Sequence, residues 1–119
     1  MFRKIFAAAA LASLAVAGAA LAGAERTGAT AVAVTAGKPT ELRFTLSKRS
    51  VPKGAVAFRV TNRGSLAHDF RIAGKKTKRL ASGKSATLSV VLSKAGRYPY
   101  LCTVPGHAAG GMKGTLIVK

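Results

Sequence analysis

The sequence predicts an all-β fold, a β-sandwich or barrel of about eight short strands, on three observations. Apolar residues recur with period two in several segments, turn-forming residues punctuate the chain at roughly eight-to-twelve-residue spacing, and no 3.6-residue helical period follows the first stretch. Alternation of this kind gives each strand one dry face and one wet face, which is what a two-layer sandwich or a closed barrel needs.

The first expected strand is ATAVAVTA, residues 29–36, stopped by Lys38 and Pro39. In TELRFTLS, residues 40–47, Leu42, Phe44 and Leu46 share one face while Glu41, Arg43 and Thr45 fall on the other. VPKG, residues 51–54, reads as a turn, after which AVAFRVTN, residues 55–62, points Val56, Phe58 and Val60 inward until Gly64 breaks the pattern. HDFRIA, residues 68–73, places His68 on the same face as Phe70 and Ile72, the core-facing parity. GKKTKRLASGK, residues 74–84, is a basic loop or an edge hairpin. SATLSVVLS, residues 85–93, alternates Ala86, Leu88, Val90 and Leu92; GRYPYLC, residues 96–102, runs into a Gly- and Pro-rich loop; and KGTLIVK, residues 113–119, is the last strand.

The segment ahead of these strands has a different character. A basic MFRK start, an Ala/Leu-rich run from Ile5 to about Ala22, and the small-x-small pattern Ala20-Leu21-Ala22 predict an export signal over residues 1–22. An uncleaved anchor is the alternative, because the run approaches spanning length. Ala24 stands where a lipoprotein box needs cysteine, and Arg3-Lys4 is no twin-arginine pair, so the general secretory route is expected. Residues 23–28 then form a short linker and residues 29–119 one domain, periplasmic or extracellular.

Charge limits the partners. The formal net charge is +17, and because Arg3 and Lys4 are the only charges in the leader, the remainder sets 18 basic residues against Glu25, Glu41 and Asp69, a net +15. Such a balance attracts acidic proteins, an anionic envelope surface or nucleic acid. Nucleic acid is disfavoured by an extracytoplasmic location and by the lack of aromatic platforms, with no Trp and two Tyr in the chain.

Chemistry concentrates in YPYLCTVPGHAAGGMKGTLIVK. The single cysteine, Cys102, is followed at equal intervals by His107 and Met112, and the other histidine, His68, lies on an inward-facing position upstream. A lone cysteine cannot form an internal disulfide, and outside the cell a free thiol invites oxidation unless something occupies it. Two imidazoles, a thiolate and a thioether suit copper: the sulfurs stabilise Cu(I), the imidazoles accept both oxidation states, and His2Cys with a weak axial Met is an electron-transfer arrangement. Pro105 and Gly106 allow a tight fold between the first two ligands, Gly110 and Gly111 supply permissive backbone before Met112, and Pro105 removes one N–H that could reach the sulfur.

YLCTVPGHAAGGMKGTLIV together with the upstream NRGSLAHDF resembles the cupredoxins, the blue copper proteins, and most closely their small bacterial plastocyanin/azurin-like members of the auracyanin type. The resemblance covers residues 29–119 and implies a Greek-key β-sandwich with one type 1 copper ion at one end, held by His68, Cys102, His107 and Met112, the strands carrying His68 and Cys102 being neighbours. Where many members have asparagine after the first histidine, this chain has Asp69, whose carboxylate can accept from the Thr103 backbone or hydroxyl but cannot donate. The tyrosine that precedes the cysteine in plastocyanin relatives is Leu101 here, so that electron port is not carried over. Thr103 replaces the histidine that links blue sites to catalytic coppers, which disfavours an oxidase or reductase.

The expected role is therefore not enzymatic: a monomeric carrier of single electrons between redox partner proteins with acidic docking surfaces. Lys75, Lys76, Lys78 and Arg79 read first as a solvated loop and second as a steering patch. A copper carrier or buffer without redox traffic is the alternative function, and a metal-free adhesive sandwich a third.

Overall fold

The computed structural model describes residues 28–119; the expected leader and all but the last residue of the expected linker lie outside them. Nine strands run in chain order: β1 (Thr30–Ala36), β2 (Phe44–Leu46), β3 (Ser50–Val51), β4 (Gly54–Asn62), β5 (Arg71–Ile72), β6 (Lys75–Lys76), β7 (Ser85–Leu92), β8 (Gly96–Leu101) and β9 (Lys113–Val118). They form two sheets, ordered β2-β1-β4-β7 and β3-β9-β8-β5-β6. No helix occurs among the described residues. Neighbours in a sheet are mostly not neighbours in sequence: β1 runs parallel to β4 in full register from Thr30↔Val56 to Ala36↔Asn62, and β3 runs parallel to β9. Such pairings require crossovers between the layers, as a Greek-key sandwich does.

The core is what the alternation predicts. Val32 and Val34 from β1, Val56, Phe58 and Val60 from β4, Val90 and Leu92 from β7, and Leu116 and Val118 from β9 meet Phe70, Ile72 and Leu80 between the sheets. Phe70 is the hub of the aromatic packing, with ring centroids 5.2–5.4 Å from those of Phe58, Phe44 and Tyr100. At that spacing tilted and edge-on pairs add to the area they bury.

Three expectations are corrected. The strand over residues 40–47 shrinks to Phe44–Leu46, because residues 37–43 leave the sheet in a loop closed by the Gly37 N–H donating to the Arg43 carbonyl at 2.9 Å. The turn at residues 51–54 starts later, since Ser50 and Val51 pair with Ile117 and Val118. His68 is not part of a continuous strand: it makes an isolated antiparallel bridge to Leu80, and pairing resumes only at Arg71. Period two therefore fails at Asp69, which is as buried as His68 and Phe70 on either side of it.

The basic segment forms an edge hairpin, one of the two expected forms. Arg71 pairs with Lys76 and Ile72 with Lys75 around Ala73 and Gly74, both at positive φ, the geometry that two-residue hairpins prefer. Lys75 and Lys76 are exposed on the outermost strand of their sheet. Lysines there discourage another chain from pairing with the edge, which gives this pair a structural reason to exist.

Candidate metal centre

Cys102 follows the last residue of β8, and β8 pairs with β5 through Arg71↔Leu101, so the two segments bearing Cys102 and His68 are adjacent. The loop from Cys102 to Met112 is closed at its base by the Cys102 N–H donating to the Met112 carbonyl at 3.1 Å, and the Met112 N–H donates to the His107 carbonyl at 3.0 Å. Gly106 and Gly111 take positive φ in this loop, 85° and 112°, and a Cβ on Gly111 would collide with the Arg43 guanidinium.

These constraints gather the donor atoms. His68 Nδ1 lies 3.2 Å from His107 Nδ1 and 3.9 Å from Cys102 Sγ, and the Cys102 Sγ to His107 Nδ1 distance is 3.6 Å. The point equidistant from all three corners of that triangle is about 2.1 Å from each, within the roughly 2.0–2.3 Å of metal bonds to imidazole nitrogen and thiolate sulfur. Met112 is fully buried and packs with Cys102 and Ala36 in a second small cluster bordered by Leu42, Phe44 and Val104. The donor set thus fits a copper ion: three strong ligands in a triangle and a thioether held beside them.

The surroundings are built to match. The Asp69 N–H points at the Cys102 sulfur at 3.5 Å, while the Asp69 carboxylate accepts from the Thr103 N–H at 2.6 Å and the Thr103 hydroxyl at 2.5 Å. Asp69 therefore ties the His68 segment to the Cys102 loop through both its backbone and its side chain. Burial pushes the Cys102 thiol above its usual range, against the backbone N–H groups of Asp69 and Val104. The nearby cation that would turn it into a thiolate is a metal. Burial, then the neighbouring His68, holds His107 below the usual imidazole range, leaving the neutral ring that a metal binds.

Two contributors were not singled out in the sequence. Asn62, fully buried at the end of β4, donates from Nδ2 to the Leu66 and Leu80 carbonyls, both at 2.8 Å, and accepts from the Gly64 N–H at 2.8 Å. It folds the loop that delivers His68. The other is the segment 41–43: Glu41 reaches the His68 ring, Leu42 borders the Cys102 and Met112 cluster, and Arg43 donates to the Gly110 carbonyl at 3.2 Å. Strand parity had set Glu41 and Arg43 on the face opposite Leu42. The signal available in the sequence was scarcity, since Glu41 is one of only three acids in the chain.

The fold and this site define a family. Residues 5–118 match the model of the cupredoxin-like domain, and the chain belongs to that family. His68, Cys102, His107 and Met112 are arranged in it as a type 1 copper site, with copper as the cofactor. Among individual proteins, the chain is similar to auracyanin-B of Chloroflexus aurantiacus, 45% identical over 42 residues that make up 35% of this chain and 18% of that protein. Its structure is similar to that of auracyanin B, with a TM-score of 0.68 and 25% identity over 76% of this chain and 89% of the other. It is also similar to rusticyanin from Thiobacillus ferrooxidans, with a TM-score of 0.66 and 26% identity over 77% of this chain and 79% of the other.

Proposed function

We propose that the protein carries single electrons outside the cytoplasm, as a monomer holding one type 1 copper ion between His68, Cys102, His107 and Met112. The observation that carries this reading is the triangle of His68 Nδ1, His107 Nδ1 and Cys102 Sγ beside a buried methionine. Copper, when bound, supplies a one-electron couple between Cu(I) and Cu(II). The chain's part is to hold one ligand geometry that serves both states, so that little rearranges when the electron moves. His68, Cys102 and Met112 are at most 1% exposed, which favours a retained ion over one handed on to another protein, the demand placed on a copper carrier.

Asp69 and Thr103 support the cysteine side of the site, and Pro105 keeps one N–H away from its sulfur. Asp69→Ala is expected to weaken copper binding about 10- to 100-fold and to shift the visible spectrum and the potential, as loss of an outer hydrogen-bonding partner does. An unchanged spectrum and potential in that variant would remove Asp69 from the site.

His107 is half-buried at the surface end of the loop, flanked by Pro105, Gly106, Ala108 and Ala109. This small-residue patch is the proposed point of electron entry and exit for a redox partner with an acidic rim. Glutamate at Ala108 and Ala109 is expected to slow partner electron transfer at least tenfold while leaving the spectrum intact. Stopped-flow kinetics at several ionic strengths checks this, because steering by charge weakens as salt screens it.

An export-signal pattern at residues 1–22 and a lone cysteine that a metal would shield support an extracytoplasmic location. The experiment that tests the whole reading is addition of Cu(II) to the chain lacking residues 1–22, followed by visible and EPR spectra and a reversible redox titration. An intense thiolate-to-copper band with reversible cycling is expected. Colourless protein with a freely reactive thiol would refute it.

A further inference from the structure

Glu41 sits on the segment between β1 and β2, and its carboxylate takes three donors from one short stretch of chain. Oε1 accepts from the Ser65 N–H at 2.9 Å; Oε2 accepts from the Leu66 N–H at 3.1 Å and from His68 Nε2 at 2.6 Å. Both carboxylate oxygens are thus engaged as acceptors by backbone N–H groups, an environment that favours the ionised form. An ionised carboxylate only accepts, so the ring nitrogen facing it carries the proton. The other nitrogen, His68 Nδ1, then presents its lone pair toward Cys102 and His107.

We infer that Glu41 is a positioning residue of the copper centre: it selects the His68 tautomer that leaves Nδ1 free for the metal and sets a negative charge one imidazole ring away from it. The inference rests on the copper reading above and deepens it. Carboxylate–histidine–metal chains fix ring orientation and raise ligand basicity in other metal sites. Here the charge has unusual weight. Glu41 and Asp69 are the only acids among the described residues, and both lie at the metal centre of a chain whose formal charge is +17. Surrounding cations disfavour the divalent ion, and the two carboxylates oppose that field where it matters most.

Gly64 belongs to the same device. A Cβ built on it would overlap the Glu41 carboxylate and stand 3.1 Å from His68 Nε2. The overlapped atom is the end of a flexible side chain, and Gly64 has an ordinary φ, so alanine displaces the carboxylate without straining the backbone. Two substitutions thereby separate charge from contact: Glu41→Gln keeps an acceptor for His68 and removes the charge, whereas Gly64→Ala keeps the charge in the chain and removes the contact.

Wild type, Glu41→Gln and Gly64→Ala are compared in two measurements, with circular dichroism confirming the fold of each. The first is the reduction potential of the copper-loaded protein. Both variants are expected to shift it upward by at least tenfold in the Cu(II)-to-Cu(I) affinity ratio, which is about 59 mV. The second is the ¹⁵N spectrum of the His68 ring in metal-free protein. Wild type and Glu41→Gln are expected to show the proton on Nε2, and Gly64→Ala a mixture of tautomers. Blue wild-type protein with both variants unchanged in potential and tautomer would overturn the inference while sparing the copper reading. A wild type that takes up no copper would overturn the copper reading and this inference with it.

Discussion

Cys102→Ser is expected to abolish the intense visible band completely and to leave a folded, colourless protein with copper affinity lower by several orders of magnitude. The absorption requires a thiolate, and a serine hydroxyl at this position remains protonated and cannot donate sulfur charge to the ion. The fold survives for a local reason. Cys102 is 1% exposed in the small cluster with Ala36 and Met112, outside the main core around Phe58 and Phe70, and the Asp69 N–H still has an oxygen to face. Titration with Cu(II), visible spectroscopy and thermal unfolding of the same sample check all parts of this outcome. A blue Cys102→Ser protein would mean that the chromophore lies elsewhere.

Asn62→Ala is expected to have the largest effect on stability, a loss of about 2–4 kcal/mol, read as a fall in Tm of roughly 10–20 °C. Alanine leaves the Leu66 carbonyl and the Gly64 N–H without their side-chain partner and removes one donor from the Leu80 carbonyl. The Leu80 carbonyl also accepts from the His68 N–H at 3.1 Å, and the Leu80 N–H donates back to the His68 carbonyl at 2.8 Å. Loosening Asn62 thus loosens the ligand, and copper affinity is expected to fall together with stability. Differential scanning calorimetry with and without copper separates the two effects, because an ion bound only by the native state restores part of the lost Tm in proportion to its remaining affinity.

How much of this was legible beforehand depends on whether local pattern or long-range pairing sets the outcome. Val56, Phe58 and Val60 were readable as core because period two is a property of one strand, and β4 is long enough, at nine residues, to display it. Met112 and Cys102 drew attention through scarcity and spacing. His68 was readable as inward-facing, yet for a reason only partly realised, since it makes an isolated bridge and no strand carries it. Glu41 and Arg43 were misplaced because alternation assumes that a strand continues, and here the chain leaves the sheet before Phe44. Asp69 broke the pattern in the same way.

By itself the sequence determined the class of fold, through strand alternation and turn residues, and the four soft donors, through a ligand supply so small that only one site could use it. The tertiary structure decided how those donors meet and what stands behind them. Asn62 reaches forward to Leu80, Asp69 to Thr103, and Glu41 to Ser65, Leu66 and His68. The physical reason is that periodicity reports which face of a segment is dry, whereas hydrogen-bond partners separated by 18 to 34 residues are fixed only when both sheets close around them.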